Sequence, residues 1–129
     1  MTFERIPPAT EAVASEVIGA AIEVHRHLGP GFLERIYQEA LALELHSRHI
    51  AFERERAIVV NYKGLSITGQ RVDLIVANCI VVELKAASKI DLAHEAKLVS
   101  YLRTTGIRLG LVLNFNCRTM KEGVKRIVV

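Results

Sequence analysis

The chain has 129 residues, half of them hydrophobic, a net charge of +3 and two cysteines, Cys79 and Cys117. This is enough sequence for one domain, 1–129, that buries roughly two thirds of its unfolded surface without disulfide staples. The composition argues against a transmembrane span, because the longest apolar run, Leu74 to Val82, is broken by Asn78 and falls short of the ~18 residues needed; it also argues against an aromatic platform for single strands, with 5% aromatics and no Trp.

The first predicted element is a helix from about Ala12 to His27, with Thr10 as candidate N-cap and Glu11 and Glu16 near the positive end of its dipole. Val13, Val17, Ile18, Ala21, Val24 and Leu28 recur at helical spacing and are expected to face the core. The ionisable residues in this segment argue against a signal peptide. Gly29-Pro30-Gly31 breaks the chain, and a second helix follows from about Leu33 to His49, with apolar positions Leu33, Ile36, Ala40, Leu41, Leu43 and Leu45. A strand is expected over Phe52 to Tyr62, closed by a turn at Lys63-Gly64.

Two strands then carry ionisable groups among β-branched residues: Arg71-Val72-Asp73-Leu74-Ile75-Val76, and Ile80-Val81-Val82-Glu83-Leu84-Lys85-Ala86. Buried charges pair with one another or hold a metal ion. Strand alternation puts Glu83 and Lys85 on one face with Val81, and Asp73 on one face with Arg71 and Ile75. Asp73 lies beside Glu83 only if the connection has odd parity or a bulge near Asn78 restores the register. A three-residue loop, Ala77-Asn78-Cys79, pairs 76 with 80, 75 with 81, 74 with 82 and 73 with 83. Two carboxylates that meet can hold Mg²⁺ or Mn²⁺, and Lys85 can orient a water and stabilise developing charge. The alternative is a structural Asp–Lys or Glu–Lys pair at a sheet end.

A third helix is expected from about Leu92 to Thr104, capped by Asp91 and ended by Gly106. An almost wholly apolar strand follows at Leu109 to Phe115, and a short one at Arg126 to Val129. The order ααβββαββ implies an α/β fold, a mixed sheet with helices packed on it. The cysteines follow no CxxC spacing, which fits reduced thiols in a cytoplasmic protein. Lys121, Lys125 and Arg126 form the densest basic cluster, read as a solvated edge rather than a phosphate track.

Asp73 with Glu83-Leu84-Lys85 resembles the D…(D/E)xK signature of the PD-(D/E)xK nuclease superfamily. Gly31-Phe32-Leu33-Glu34-Arg35-Ile36-Tyr37 resembles the GxxExxY motif of a bacterial family within it, as does the text around it, Glu23 to Gly31 and Gly110 to Phe115. The resemblance implies a restriction-endonuclease-like αβββαβ core with an extra N-terminal helix. It implies divalent-metal-dependent phosphodiester hydrolysis, with DNA the expected substrate, and a metal site of Asp73, Glu83, Glu34 and the Leu84 carbonyl. Lys85 would be the catalytic lysine. Tyr37 is either a site residue or a packing residue with its hydroxyl held by a site carboxylate. RecB-type members carry a QxxxY motif on the following helix. Here it reads Lys97-Leu98-Val99-Ser100-Tyr101, so the tyrosine matches and a lysine replaces the glutamine. Lys97 and Tyr101 would then flank a phosphate. That departure keeps open a second reading, a nuclease fold acting as a nucleic-acid-binding or protein-interaction module. By fold-level analogy, so small a chain would work as a homodimer or with a partner protein. His94, His25 and His27 are read as capping or structural.

Overall fold

The computed structural model describes residues 5–129. Helix α1 spans Pro8–Leu28, α2 Glu34–Ser47, and α3 Leu92–Thr105. The strands are β1 Phe52–Tyr62, β2 Leu65–Val76, β3 Ile80–Lys85, β4 Leu109–Asn114 and β5 Val124–Val128, with a 3₁₀ turn at Met120–Gly123 before the last. Helix α1 starts earlier than expected. Pro7 occupies the N-cap and Pro8 the first turn, where a missing N–H costs nothing and a fixed φ suits the helix, so Thr10 lies inside it. Asp91 does cap α3: its side chain accepts from the His94 N–H at 3.0 Å, while His94 Nδ1 accepts from the Asp91 N–H at 3.3 Å.

The five strands form one mixed sheet in the order β1-β2-β3-β4-β5. Only β3 and β4 are parallel, joined by the α3 crossover; the other neighbours are antiparallel. Side-chain alternation in β3 sorts the two faces. Ile80, Val82 and Leu84 pack with Val17, Ala21, Leu41 and Leu45 of α1 and α2. Val81 joins Val112, Leu98, Tyr101 and Leu102 on the α3 face. Glu83 and Lys85 therefore belong to the α3 face. Gly110 allows this helix to pack closely, since a Cβ there would stand 2.9 Å from a Leu98 methyl carbon.

The α1 stripe is the expected one, extended by Ala14, Ala20 and a buried His25 whose Nε2 lies 2.8 Å from the Cys117 carbonyl oxygen. In α2 the expected stripe is corrected. Leu33 and Leu43 are exposed, and the buried face is Tyr37, Leu41, Ala42 and Leu45. The aromatic Tyr37 supplies the volume: it is stacked on Phe115 at 4.5 Å between centroids.

The β2–β3 connection has the odd parity required. Val76 pairs with Ile80, Ile75 with Val81 and Leu74 with Val82 across Ala77-Asn78-Cys79, where Ala77 (φ 51°) and Asn78 (φ 54°) are both left-handed. Simple alternation fails one step further on. Val72 packs on the α3 face with Ile75, whereas Leu74 and Val76 pack on the other. The strand therefore turns its faces at Asp73. Beyond this point β2 no longer pairs with β3 and continues with β1 alone, as a two-stranded arm.

Candidate active site

The site begins where β2 and β3 part. The ladder stops after Leu74–Val82, leaving the N–H groups of Asp73 and Leu84 to find other acceptors. Two carboxylates supply them. Glu83 Oε1 accepts from the Asp73 N–H at 3.1 Å, and Asp73 Oδ2 accepts from the Leu84 N–H at 2.8 Å. Each acid is thus anchored by the other's strand, and one oxygen of each is used. Asp73 Oδ1 and Glu83 Oε2 accept no hydrogen bond among the described residues, and no unpartnered polar side-chain atom there is buried, so both reach solvent.

Glu83 is buried and Asp73 half-buried. Burial first, and the Asp73 charge second, push the Glu83 carboxyl up to about 8. Burial also raises Asp73, opposed by the hydrogen bond from Leu84 and by the Lys85 charge. Neither carboxylate forms an ion pair among the described residues. The Asp–Lys or Glu–Lys pairing that would make this a purely structural cluster is not what the side chains do. Lys85 and Lys97 act on both acids only through their field.

Glu34 opens α2, half-buried. Burial raises its carboxyl, with Lys85 opposing and Asp73 adding to the shift, so all three acids share one electrostatic neighbourhood. They do not converge, however: no three Asp, Glu, His or Cys side chains among the described residues are grouped tightly enough to hold a metal ion. The pair Asp73–Glu83 is what the fold brings together, and Glu34 stands outside it. Two open carboxylate oxygens without a neutralising cation suit a hard divalent ion that completes its shell with water.

Tyr37 is corrected. It is fully buried on the α1–α2 face, and its hydroxyl donates to the Gly29 carbonyl at 2.5 Å and accepts from the Phe32 N–H at 3.1 Å. It pins the loop ahead of Glu34 and binds no site carboxylate. Tyr101 is also buried, in the α3-face core, with Lys97 Nζ 5.7 Å from its ring centroid. Two of the three residues of the basic cluster are paired, Lys125 with Glu95 and Arg126 with Glu11.

Two residues beside the site escaped the sequence reading. Glu55 lies opposite Asp73, between the pairs Arg54–Leu74 and Arg56–Val72, with a left-handed backbone (φ 50°) unusual for a non-glycine residue. Its charge acts on Asp73. Gln38 Nε2 donates to Glu55 Oε1 at 2.9 Å and to the Asp73 carbonyl at 3.4 Å. The available signal was the i, i+4 spacing of Glu34 and Gln38 on one helix face.

A search of the curated proteins and one of the solved structures gave no match. The family model of the PD-(D/E)XK nuclease superfamily matches residues 11–127. With nearly the whole of the described fold inside that match, the chain belongs to the PD-(D/E)XK nuclease superfamily.

Proposed function

We propose that this chain is a divalent-metal-dependent nuclease that hydrolyses phosphodiester bonds in DNA, and that it stands with the GxxExxY group of its superfamily as one unit over 1–129. The observation that carries the reading is the Asp73–Glu83 pair, its two open oxygens unneutralised. Asp73 and Glu83 would hold Mg²⁺ or Mn²⁺ with the Leu84 carbonyl, and Glu34, outside the pair, would complete the set through water. A bound divalent cation supplies charge neutralisation at the phosphate and an acidified water. Lys85 orients the attacking water and stabilises negative charge as it develops. Lys97, exposed above the Tyr101 ring, offers a point charge to a phosphate oxygen. Gln38 and Glu55 hold the Asp73 backbone in place. The half-buried Cys79 and Cys117 are free thiols, in keeping with a reducing cytoplasm.

A second reading, a non-cutting nucleic-acid-binding or protein-interaction module, is favoured by Lys97 alone. It places a positive charge in the field of both acids, where the family pattern has a neutral glutamine. A cleavage panel separates the two: plasmid, linear duplex, single-stranded, branched DNA and RNA with Mn²⁺. Cleavage of at least one DNA, abolished by Glu83→Ala and by Lys85→Ala, is the expected result. Activity at the unsubstituted level in both variants would overturn the mechanism.

A further inference from the structure

We propose that the β1–β2 arm is a homodimerisation surface, closed by antiparallel pairing of β1 with the β1 of a second copy. This rests on the arm alone and not on the nuclease reading. Strand β1 is a sheet edge, and its outer side has no partner among the described residues. The arm's distal half exposes Val59, Val60, Tyr62, Leu65 and Ile67 at relative exposures between 39% and 63%. An isolated two-stranded ribbon is marginal in water.

The occupant follows from charge and register. Between Ala57 and Asn61 the edge carries no charge, so it offers nothing to a phosphate backbone, but its unpaired N–H and C=O groups complement an identical strand. The opposite edge, β5, is five residues long and holds Lys125 and Arg126, a composition that discourages strand addition. The irregularity in the arm lies on β2, where Gly69 (φ 126°) takes up an extra residue between Ile67 and Gln70, leaving β1 regular on its outer side there. A two-fold axis at Val59 pairs Ile58 with Val60, Ala57 with Asn61 and Arg56 with Tyr62. It sets cations against rings at both ends, with Glu55 near Lys63 of the other copy. Val60, Tyr62, Leu65 and Ile67 share one face of the arm through the pairs Val60–Ile67 and Tyr62–Leu65, and Val59 lies on the other. Pairing the two edges covers the backbone of both β1 strands and the flanks of Val59, Val60 and Tyr62, while Leu65 and Ile67 on β2 stay on the open face.

The test is the mass of the full chain in solution at tens of micromolar, by light scattering. The expected mass is twice the 14.3 kDa of one chain. Val59→Lys opposes two like charges at the axis and should return a monomer with unchanged far-ultraviolet circular dichroism, since Val59 is exposed. Val59→Cys should cross-link to itself under mild oxidant, whereas Val128→Cys on the other edge, and the unsubstituted chain, should not. A monomeric unsubstituted chain, a Val59→Lys chain still dimeric, or an arm that binds DNA while the protein stays monomeric would each overturn the proposal.

Discussion

Glu83 is the more deeply buried of the two acids, and it holds its proton longer. Its carboxyl, pushed up to about 8 by burial and by Asp73, would titrate near 4.5 in the unfolded chain. Between those values the folded state keeps a proton that the unfolded state has released. The stability Glu83 contributes is therefore fully present below about 4.5 and lost as pH rises to about 8. Asp73 and Glu34, also raised, act with the same sign. In chelator, stability should fall across this window by on the order of several kcal/mol of proton linkage, read as a falling melting temperature. Glu83→Gln should flatten the slope. A variant whose melting temperature follows pH as steeply as the unsubstituted chain would remove Glu83 as the source. Asp73, Glu83 and Lys85 were legible in the sequence because charges among β-branched residues stand out at sight. Gln38 and Glu55 were not: their contact depends on how α2 crosses the sheet, and a left-handed backbone at a glutamate leaves no mark in residue type.

The elements were legible where local chemistry decides them. The Asp91 cap, the Gly106 stop and the Lys63-Gly64 turn fall where their residue types put them. The start of α1 shifted because Pro7-Pro8 open the helix ahead of Thr10, and the onset of β5 because the 3₁₀ turn at Met120–Gly123 buries Met120 in the core. What decides the site at this scale is the loop Ala77-Asn78-Cys79. It keeps β2 and β3 in the register that sets Asp73 beside Glu83. Its first residue is an alanine in the left-handed region, a conformation that costs an L-residue roughly 1 kcal/mol and glycine almost nothing. Ala77→Gly should therefore stabilise the protein by about 0.5–1 kcal/mol in urea unfolding. Deleting Asn78 should do the reverse and more. A two-residue loop turns every β3 side chain over, placing Glu83 in the α1–α2 core and Leu84 on the site face. Cleavage and the pH slope should vanish together. Native-like stability in the deletion would mean the register is held elsewhere.

At the scale of the whole molecule, the sheet forks. Strands β2 and β3 share three residue pairs before β2 leaves with β1, and the acids sit in that fork, within the field of Glu34 from α2 and Lys97 from α3. Both helical layers thus converge on two acids that pair with no cationic side chain among the described residues. A cation bound there would tie the fork closed in the folded state only, and such binding raises global stability by RT ln(1 + [L]/Kd). At a concentration tenfold above Kd this is about 1.4 kcal/mol, or roughly 3–6 °C in the melting temperature of a chain this size. The gain should be larger at pH 8 than at pH 5.5, because the cation competes with the proton that Glu83 retains. Mg²⁺ titrated into the full chain near pH 8 should raise the melting temperature by that amount, and Asp73→Asn should abolish the rise. Sodium chloride at matched ionic strength is the control, since it screens the acids without binding between them. An equal rise with sodium, or one that survives Asp73→Asn, would assign the effect to general screening and leave the fork as a strand terminus capped by two carboxylates.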